Sequence, residues 1–169
     1  MGRDKALIDV DGVPLAVRVA EALRLAGATS VVAVGGDAPA LRALGLRCRA
    51  DDHPGEGPLA ATITALGAAE GEVVMVMSCD LLHPSVPAIT ATVTALREHP
   101  DALGAVPVVD GRHQWTHAAW RHDALVGLRA AYEQGERSLH RAAGSLALVE
   151  VVEVEPPDVA DADEPSDLL

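Results

Sequence analysis

The feature that most constrains the fold is an unbroken apolar segment, Val73-Val74-Met75-Val76-Met77, followed by Ser78-Cys79-Asp80. Five apolar residues in a row, without alternation, are typical of a strand covered on both faces, as in the middle of a parallel sheet. In open α/β sheets, ligands bind at the carboxyl ends of the strands, and Asp80 lies at such an end. The alternative is that Asp80 only caps the helix that follows.

The regions around this segment alternate between strand and helix patterns. Strands are predicted at 31–34, 46–49 and 73–77, and helices at 15–26, 39–44, 58–69 and 85–97. This alternation predicts a single α/β domain over residues 1–169, with a three-layer, Rossmann-like, doubly wound and mostly parallel sheet. Further along, 103–109 and 113–120 flank an Asp110-Gly111 turn, which predicts a hairpin or two strands at the edge of the sheet.

The composition excludes several classes of function. A net charge of −12 disfavours general binding to nucleic acid, which depends on clustered Lys and Arg, and only 2% of residues are aromatic. Any phosphate site must therefore be local, and we expect it to need a metal. No apolar stretch is long enough to span a membrane, and Cys48 and Cys79 lack CxxC spacing. These features predict a cytoplasmic protein.

Five short motifs together resemble one family. Met1-Gly2-Arg3-Asp4-Lys5, Gly57-Pro58-Leu59-Ala60 and Cys79-Asp80 occur in the same order in the nucleotidyltransferases that attach a nucleotide to molybdopterin. Gly135-Glu136-Arg137 and the acidic segment at 161–168 resemble two later motifs of those proteins. The chain is similar above all to the molybdenum cofactor guanylyltransferases, whose activity joins GMP from GTP to molybdopterin or its molybdenum form and releases pyrophosphate.

The resemblance implies roles for residues that would touch the nucleotide. Lys5 would contact the triphosphate and act in catalysis, since an ammonium is a compact charge suited to phosphate oxygens, and Arg3 would also contact the nucleotide. The backbone of Gly57-Pro58-Leu59 would hold the guanine, and Asp51 or Asp52 would lie beside the nucleoside. The family usually continues with glycine where this chain has Ala61, so the choice of base is less fixed.

The resemblance also implies a metal and an acceptor site. Asp80 would bind Mg²⁺, which takes one or two carboxylates together with phosphate oxygens and water. The second ligand would be Asp161 or Asp163, where guanylyltransferases often have asparagine, and this difference keeps a cytidylyltransferase open. The acceptor would meet residues of two later segments, Arg112, His113, Trp115 and Arg137. His113, Trp115 and His117 alternate, so they are predicted to share one strand face, and Arg137 and Arg141 are predicted to lie on one helix.

The resemblance is incomplete at the amino terminus. The family motif normally begins earlier, as Leu-Ala-Gly-Gly-x-Ser-x-Arg, so the first strand and the glycine loop that cradles phosphates are absent from this sequence. The native protein begins upstream, which we favour, or the sequence has been shortened, or the chain is a degenerate relative. If the chain folds as given, we predict weak or no transferase activity, and self-association through an uncovered sheet edge.

Other functions remain open on the sequence alone. A cytidylyltransferase or a sugar-phosphate nucleotidyltransferase would use the same architecture with another base or acceptor. A non-catalytic nucleotide-binding domain would keep Asp80 and the base loop but would release no pyrophosphate. An acidic α/β interaction module would bind no nucleotide.

Overall fold

Helices and strands alternate along residues 4–162, the part of the chain that the computed structural model describes. Among these residues, no helix is both long enough and apolar enough to cross a membrane. The α-helices are α1 (Leu15–Leu25), α2 (Ala38–Ala43), α3 (Pro58–Ala68), α4 (Val86–Glu98), α5 (Ala124–Glu133) and α6 (Leu139–Ala143). The strands are β1 (Asp9–Val10), β2 (Val13–Pro14), β3 (Val32–Val34), β4 (Arg47–Arg49), β5 (Val73–Met77), β6 (Gly104–Val109), β7 (Arg112–His113), β8 (His117–Arg121) and β9 (Leu148–Val151).

The main sheet contains five strands, in the order β5-β8-β6-β7, with β9 paired to β6. β8 is antiparallel to both β5 and β6, whereas β9 is parallel to β6. β5, β6 and β9 therefore run in one direction, and β8 is a reversed strand between two of them. β3 and β4 form a separate parallel pair, and β1 and β2 form a small antiparallel pair.

The position of β8 corrects one prediction. β6 and β7 do form a hairpin around Asp110-Gly111, where both residues have positive φ. The second predicted strand, however, is interrupted after His113, and β8 lies inside the sheet rather than at its edge. The physical reason is burial on both faces, because Ala118, Ala119 and Trp120 are fully buried.

The sheet packs against a helical layer on each side. On one face Val106, Ala118 and Trp120 form a core with apolar residues of α3, α5 and α6. On the other face Ala105 and Ala119 pack with residues of α4. Because neighbouring strand residues point to opposite faces, this division into two cores gives the three-layer α/β arrangement predicted from the sequence.

A long apolar cleft separates β3 from β5. Within the described residues, β3 is paired only with β4 and β5 only with β8, so each presents one unpaired edge to the cleft. Every residue of β3 and β5 is half-buried, whereas β6 and β8 are almost wholly buried. The cleft has a volume of about 1360 Å³, and residues of α1, α3 and α4 also line it. The uncovered sheet edges predicted from the sequence are therefore present.

Candidate functional site

Residues 4 and 5 contact the segments that follow the carboxyl ends of β3 and β5. The Asp4 carboxylate accepts hydrogen bonds from the backbone N–H of Ala6 and, just beyond β3, of Asp37. Lys5 extends toward the end of β5, where its Nζ lies 3.6 Å from Oδ2 of Asp80. Asp4 and Cys79, the chain neighbours of this pair of opposite charges, line the cleft. Ser78 also donates its hydroxyl to Asp80.

The carboxyl-terminal segment returns to the same place. Asp161 forms an antiparallel bridge with Leu81, and the N–H of Ala162 donates to the carbonyl oxygen of Asp80 over 2.9 Å. Asp161, one of the two late aspartates predicted to bind a metal with Asp80, therefore lies next to the backbone of residues 80 and 81, and its role as a ligand stays a prediction. Arg3 and Asp163, which are also predicted site residues, lie outside the described residues.

His117 forms the buried floor of this site. His117 is the first residue of β8 and pairs with Met77 of β5. Its Nε2 lies 3.8 Å from Oδ1 of Asp161. Burial lowers the pKa of His117 to about 4, although the nearby charge of Asp80 opposes the shift. The imidazole is therefore neutral at pH 7. The sequence predicted His117 only as one of three residues that share a strand face, and its alternation with His113 and Trp115 does not indicate that it lies beside Asp161.

The low pKa of His117 makes stability depend on pH. The unfolded chain takes up a proton near pH 6.5, while the folded imidazole stays neutral down to about pH 4. Because the unfolded state binds more protons in that window, the free energy of unfolding should fall as the pH drops through it. The full loss is about 3 kcal/mol, at about 1.4 kcal/mol per pKa unit. Urea unfolding between pH 4 and 7.5 measures this loss.

A substitution isolates the contribution of His117 from that of the carboxylates. The slope of unfolding free energy against pH should be shallower in His117→Asn than in the wild type. His122→Asn, which replaces an exposed histidine one residue beyond β8, is the matched control and should keep the wild-type slope. Equal slopes in His117→Asn and the wild type would contradict the prediction.

Cys79 does not supply a nucleophile next to Asp80. Although the residue as a whole is exposed, desolvation of its thiol raises the pKa to about 11, and the carboxylates of Asp80, Asp4 and Asp161 add to the shift. The sulfur is therefore protonated at neutral pH and weakly reactive.

A loop at residues 51–57 lies between β4 and α3. Asp51 points inward, where its Oδ1 accepts from the hydroxyl of buried Thr64 and from the N–H of His53, each over 3.0 Å. Asp52 points outward and pairs with Arg49 over 3.1 Å. Of the two aspartates predicted beside a nucleoside, Asp51 therefore has a structural partner within the fold and Asp52 is the solvent-exposed one.

The Gly57-Pro58-Leu59 motif opens α3. Gly57 has φ of 89° and precedes the helix without a side-chain cap, and Pro58 begins its first turn. Leu59 is fully buried in the core, so only its backbone is available at this end of the helix. Gly57 and Pro58 line the same cleft as Asp4 and Cys79, which brings this motif to the candidate site.

Three predicted acceptor residues have surroundings that differ from those expected: Arg112, His113 and Trp115. The predicted shared face of His113, Trp115 and His117 is wrong, because His113 ends β7, Trp115 lies in the connection and His117 begins β8. The His113 ring instead stacks on Trp115 at 5.1 Å and its Nε2 contacts Glu150 over 2.9 Å. Arg112 is exposed at a separate small pocket with Gln114 and Pro156 among its lining residues.

The predicted helical pair of Arg137 and Arg141 is also wrong. Arg137 precedes α6, and Arg141 lies within it, so they do not share a helix face. Arg137 contacts Glu56 over 2.9 Å, and Arg141 binds Glu136 through two nitrogens over 2.7 and 2.8 Å. Each arginine is paired with a glutamate, which the spacing of the arginines alone could not indicate.

Comparison with known proteins identifies the family of this arrangement. A model of the MobA-like NTP transferase domain matches residues 1–149. The chain belongs to the MobA-like NTP transferase family. Its similarity to a probable molybdenum cofactor guanylyltransferase of Chloroflexus aggregans is 34% identity over 124 residues, covering 72% of the chain and 59% of that relative. The match to the molybdenum cofactor guanylyltransferase of Rhodobacter capsulatus is 30% identity over 175 residues, covering 99% of the chain and 86% of the relative.

Solved structures related to this MobA-like chain have the same fold. Molybdopterin-guanine dinucleotide biosynthesis protein A from Archaeoglobus fulgidus superposes with a TM-score of 0.74 at 19% identity, covering 99% of this chain and 88% of that one. The 2-C-methyl-D-erythritol 4-phosphate cytidylyltransferase from Thermus thermophilus gives 0.76 at 20% identity, with coverages of 97% and 90%. The likeness to these two structures confirms the Rossmann-like α/β architecture.

Proposed function

We propose that this MobA-like chain is a magnesium-dependent guanylyltransferase that joins GMP from GTP to molybdopterin or its molybdenum form and releases pyrophosphate. The observation that carries the proposal is the meeting of three residues from distant parts of the chain. Lys5, Asp80 and Asp161 lie together at the carboxyl end of β5. The names of the two guanylyltransferase relatives support the choice of GTP and of a molybdopterin acceptor.

The residues at this site fit a magnesium ion that is shared with a triphosphate. Within residues 4–162, no three His, Cys, Asp or Glu side chains are grouped to hold a metal by themselves. Mg²⁺ needs no such cage, because it is usually bound by one or two carboxylates while phosphate oxygens and water complete its shell. Asp80 and Asp161 are the candidate ligands, and the ion would neutralise charge on the phosphates when bound.

The remaining residues position and discriminate the substrates. Lys5 would contact the triphosphate and stabilise the charge of the departing pyrophosphate. The terminal phosphate of the acceptor attacks the α-phosphorus of GTP in line, the bond from that phosphorus to pyrophosphate breaks, and no protein nucleophile is needed. Backbone groups of Gly57 and Leu59 would select the base at the entrance of α3. Catalysis of this kind depends on positioning and electrostatics.

A screen of nucleotides tests the proposal directly. The melting temperature is measured with GTP, CTP, UTP or ATP, each with Mg²⁺ and each with EDTA in its place. A ligand that binds the folded state raises the melting temperature, so GTP with Mg²⁺ should give the largest shift. Any release of pyrophosphate on addition of molybdopterin should be largest with the same nucleotide. A chain whose melting temperature responds to no nucleotide is not a nucleotidyltransferase.

One specific observation favours a second candidate, a cytidylyltransferase. The carboxyl-terminal motif has aspartate at 161, where guanylyltransferases often have asparagine. In that case CTP, and not GTP, should give the largest shift. Binding of either nucleotide without release of pyrophosphate would instead indicate a nucleotide-binding domain that does not catalyse.

A further inference from the structure

The loop at residues 51–57 is tied to α5 and to the turn that follows α5. Glu56 accepts a hydrogen bond of 2.6 Å from the hydroxyl of Tyr132, which lies in the last turn of α5. The Glu56 carboxylate also lies 2.9 Å from Nε of Arg137. The Arg137 guanidinium in turn lies 4.2 Å above the centre of the Tyr132 ring. We call the three residues Glu56, Tyr132 and Arg137 the loop clasp.

Both sides of the loop clasp are themselves held in place. The Tyr132 ring contacts the ring of His53 at 4.8 Å, which adds a second contact to the same loop. Arg137 donates to the carbonyl oxygens of Tyr132 and Glu136 over 3.0 and 2.9 Å. Glu136 accepts from the backbone N–H groups of Arg137 and Ser138, each over 2.7 Å, and so fixes the turn that carries the arginine.

The loop has a backbone that needs such contacts. Gly55 and Gly57 both have positive φ, at 80° and 89°, and glycine loses more conformational freedom on ordering than other residues do. The start of the loop is fixed through Asp51 and Thr64, and its end through Pro58 in α3. The loop clasp holds the residues between these points against α5, which packs on α3.

Charge keeps the loop clasp formed at neutral pH. The hydrogen bond from Tyr132 and the positive charge of Arg137 lower the pKa of Glu56, and the same hydrogen bond raises the pKa of Tyr132. The glutamate is thus ionised and the phenol protonated, as the hydrogen bond requires. Tyr132 is the single tyrosine of a chain that has no phenylalanine, so its hydroxyl and ring have no equivalent elsewhere in the sequence.

We propose that Tyr132 and Arg137 are positioning residues that act through Glu56 to hold the loop at residues 51–57 in the conformation that binds the nucleoside. The inference rests on the proposed function, because it assigns that loop to the nucleotide. It gives Arg137 a role on the nucleotide side, instead of the acceptor-binding role predicted from the sequence. It also assigns roles to Tyr132 and Glu56, which no sequence motif indicated.

Three conservative variants test the proposal. Tyr132→Phe removes one hydroxyl, and Glu56→Gln removes one charge. Arg137→Lys keeps the positive charge but removes the planar guanidinium group. Hydrogen exchange of the amides at 53–57 should become about threefold to tenfold faster in each, as expected for the loss of one exposed, charge-assisted contact. The dissociation constant of GTP with Mg²⁺ should rise by a similar factor, and the affinity for molybdopterin should stay unchanged. Arg129→Gln, which replaces an exposed arginine of α5, is the matched control. It should change neither the exchange rates at 53–57 nor the dissociation constant of GTP.

The double variant Glu56→Gln/Tyr132→Phe should be no worse than Glu56→Gln alone, because the Tyr132 hydroxyl acts through Glu56. Unchanged exchange at 53–57 overturns the proposal, and so does faster exchange with an unchanged dissociation constant. Weaker binding of molybdopterin in Arg137→Lys, with no effect of Tyr132→Phe, assigns Arg137 to the acceptor instead. Loop exchange is measured without a ligand, so wild-type protein that binds no nucleotide refutes the proposed function separately from the loop clasp.

Discussion

Replacing Asp80 with asparagine should remove the magnesium-dependent effect of GTP on the melting temperature and lower any transferase rate about 10²–10³-fold. The amide has the size of the carboxylate and can still accept a hydrogen bond from Ser78, but it lacks the charge that a hard cation requires. A bound metal supplies several kcal/mol of charge stabilisation in reactions of this class, which corresponds to that loss in rate. Thermal shifts with GTP, in Mg²⁺ and in EDTA, measure the first effect, and pyrophosphate release measures the second.

The control for this substitution is Asp101→Asn, an exposed aspartate in the turn between α4 and β6. It changes the net charge by the same amount and should leave both measurements at wild-type values. A magnesium-dependent shift that survives in Asp80→Asn would show that the metal, if there is one, is held elsewhere. The proposed function would then lose the observation on which it depends.

Adding an apolar strand of five residues and a short glycine-rich loop ahead of Met1 should stabilise the fold by about 5 kcal/mol. The strand would enter the cleft between β3 and β5, pair with both unpaired edges and bury its side chains against α1, α3 and α4. Apolar burial of about 1.5–3 kcal/mol per side chain and the new hydrogen bonds exceed an ordering cost of about 1–2 kcal/mol per residue. The melting temperature should rise by roughly 10–20 °C, at 2–4 °C per kcal/mol.

An extension of equal length with proline at the third strand position is the control, because proline cannot donate to a neighbouring strand. It should leave the melting temperature near that of the original chain. Light scattering should show less self-association in the apolar form than in the control if the uncovered edges drive association. The apolar form should also be the more active transferase, since its glycine loop supplies backbone N–H groups for phosphates. Equal stability and equal activity in the two extended forms would refute both expectations.

The local pattern of the sequence was sufficient for most of the secondary structure. Proline marks the start of α3 and lies in the first turn of α2 and α4, and the unbroken apolar run is β5. The predicted helices and strands of the first half begin within one residue of their observed positions, whereas β1 and β2 were not predicted. Lys5, Asp80 and Asp161, which the resemblance implied for one site, lie near one another in the structure, and their roles there stay a prediction.

Features that depend on partners distant in the sequence were not predicted. The place of β8 between β5 and β6 is fixed by hydrogen bonds across the sheet, and no periodicity within residues 113–120 encodes the neighbours. The pairing of Arg137 with Glu56 likewise depends on α5 packing against α3, which brings the two segments together. His117 becomes a site residue only because β8 is paired with the end of β5.

The bridge between Leu81 and Asp161 has a consequence for biogenesis. The strands and helices through β9 use residues up to Val151, and Val154 and Val159 complete the core on the α4 face, so both cores are built from residues that precede Asp161. The proposed pair of carboxylates is complete only once residue 161 has emerged and folded back beside Asp80. Translation products that stop short of this residue would therefore be folded proteins without a metal site, and competence for catalysis would be the last property that the nascent polypeptide acquires.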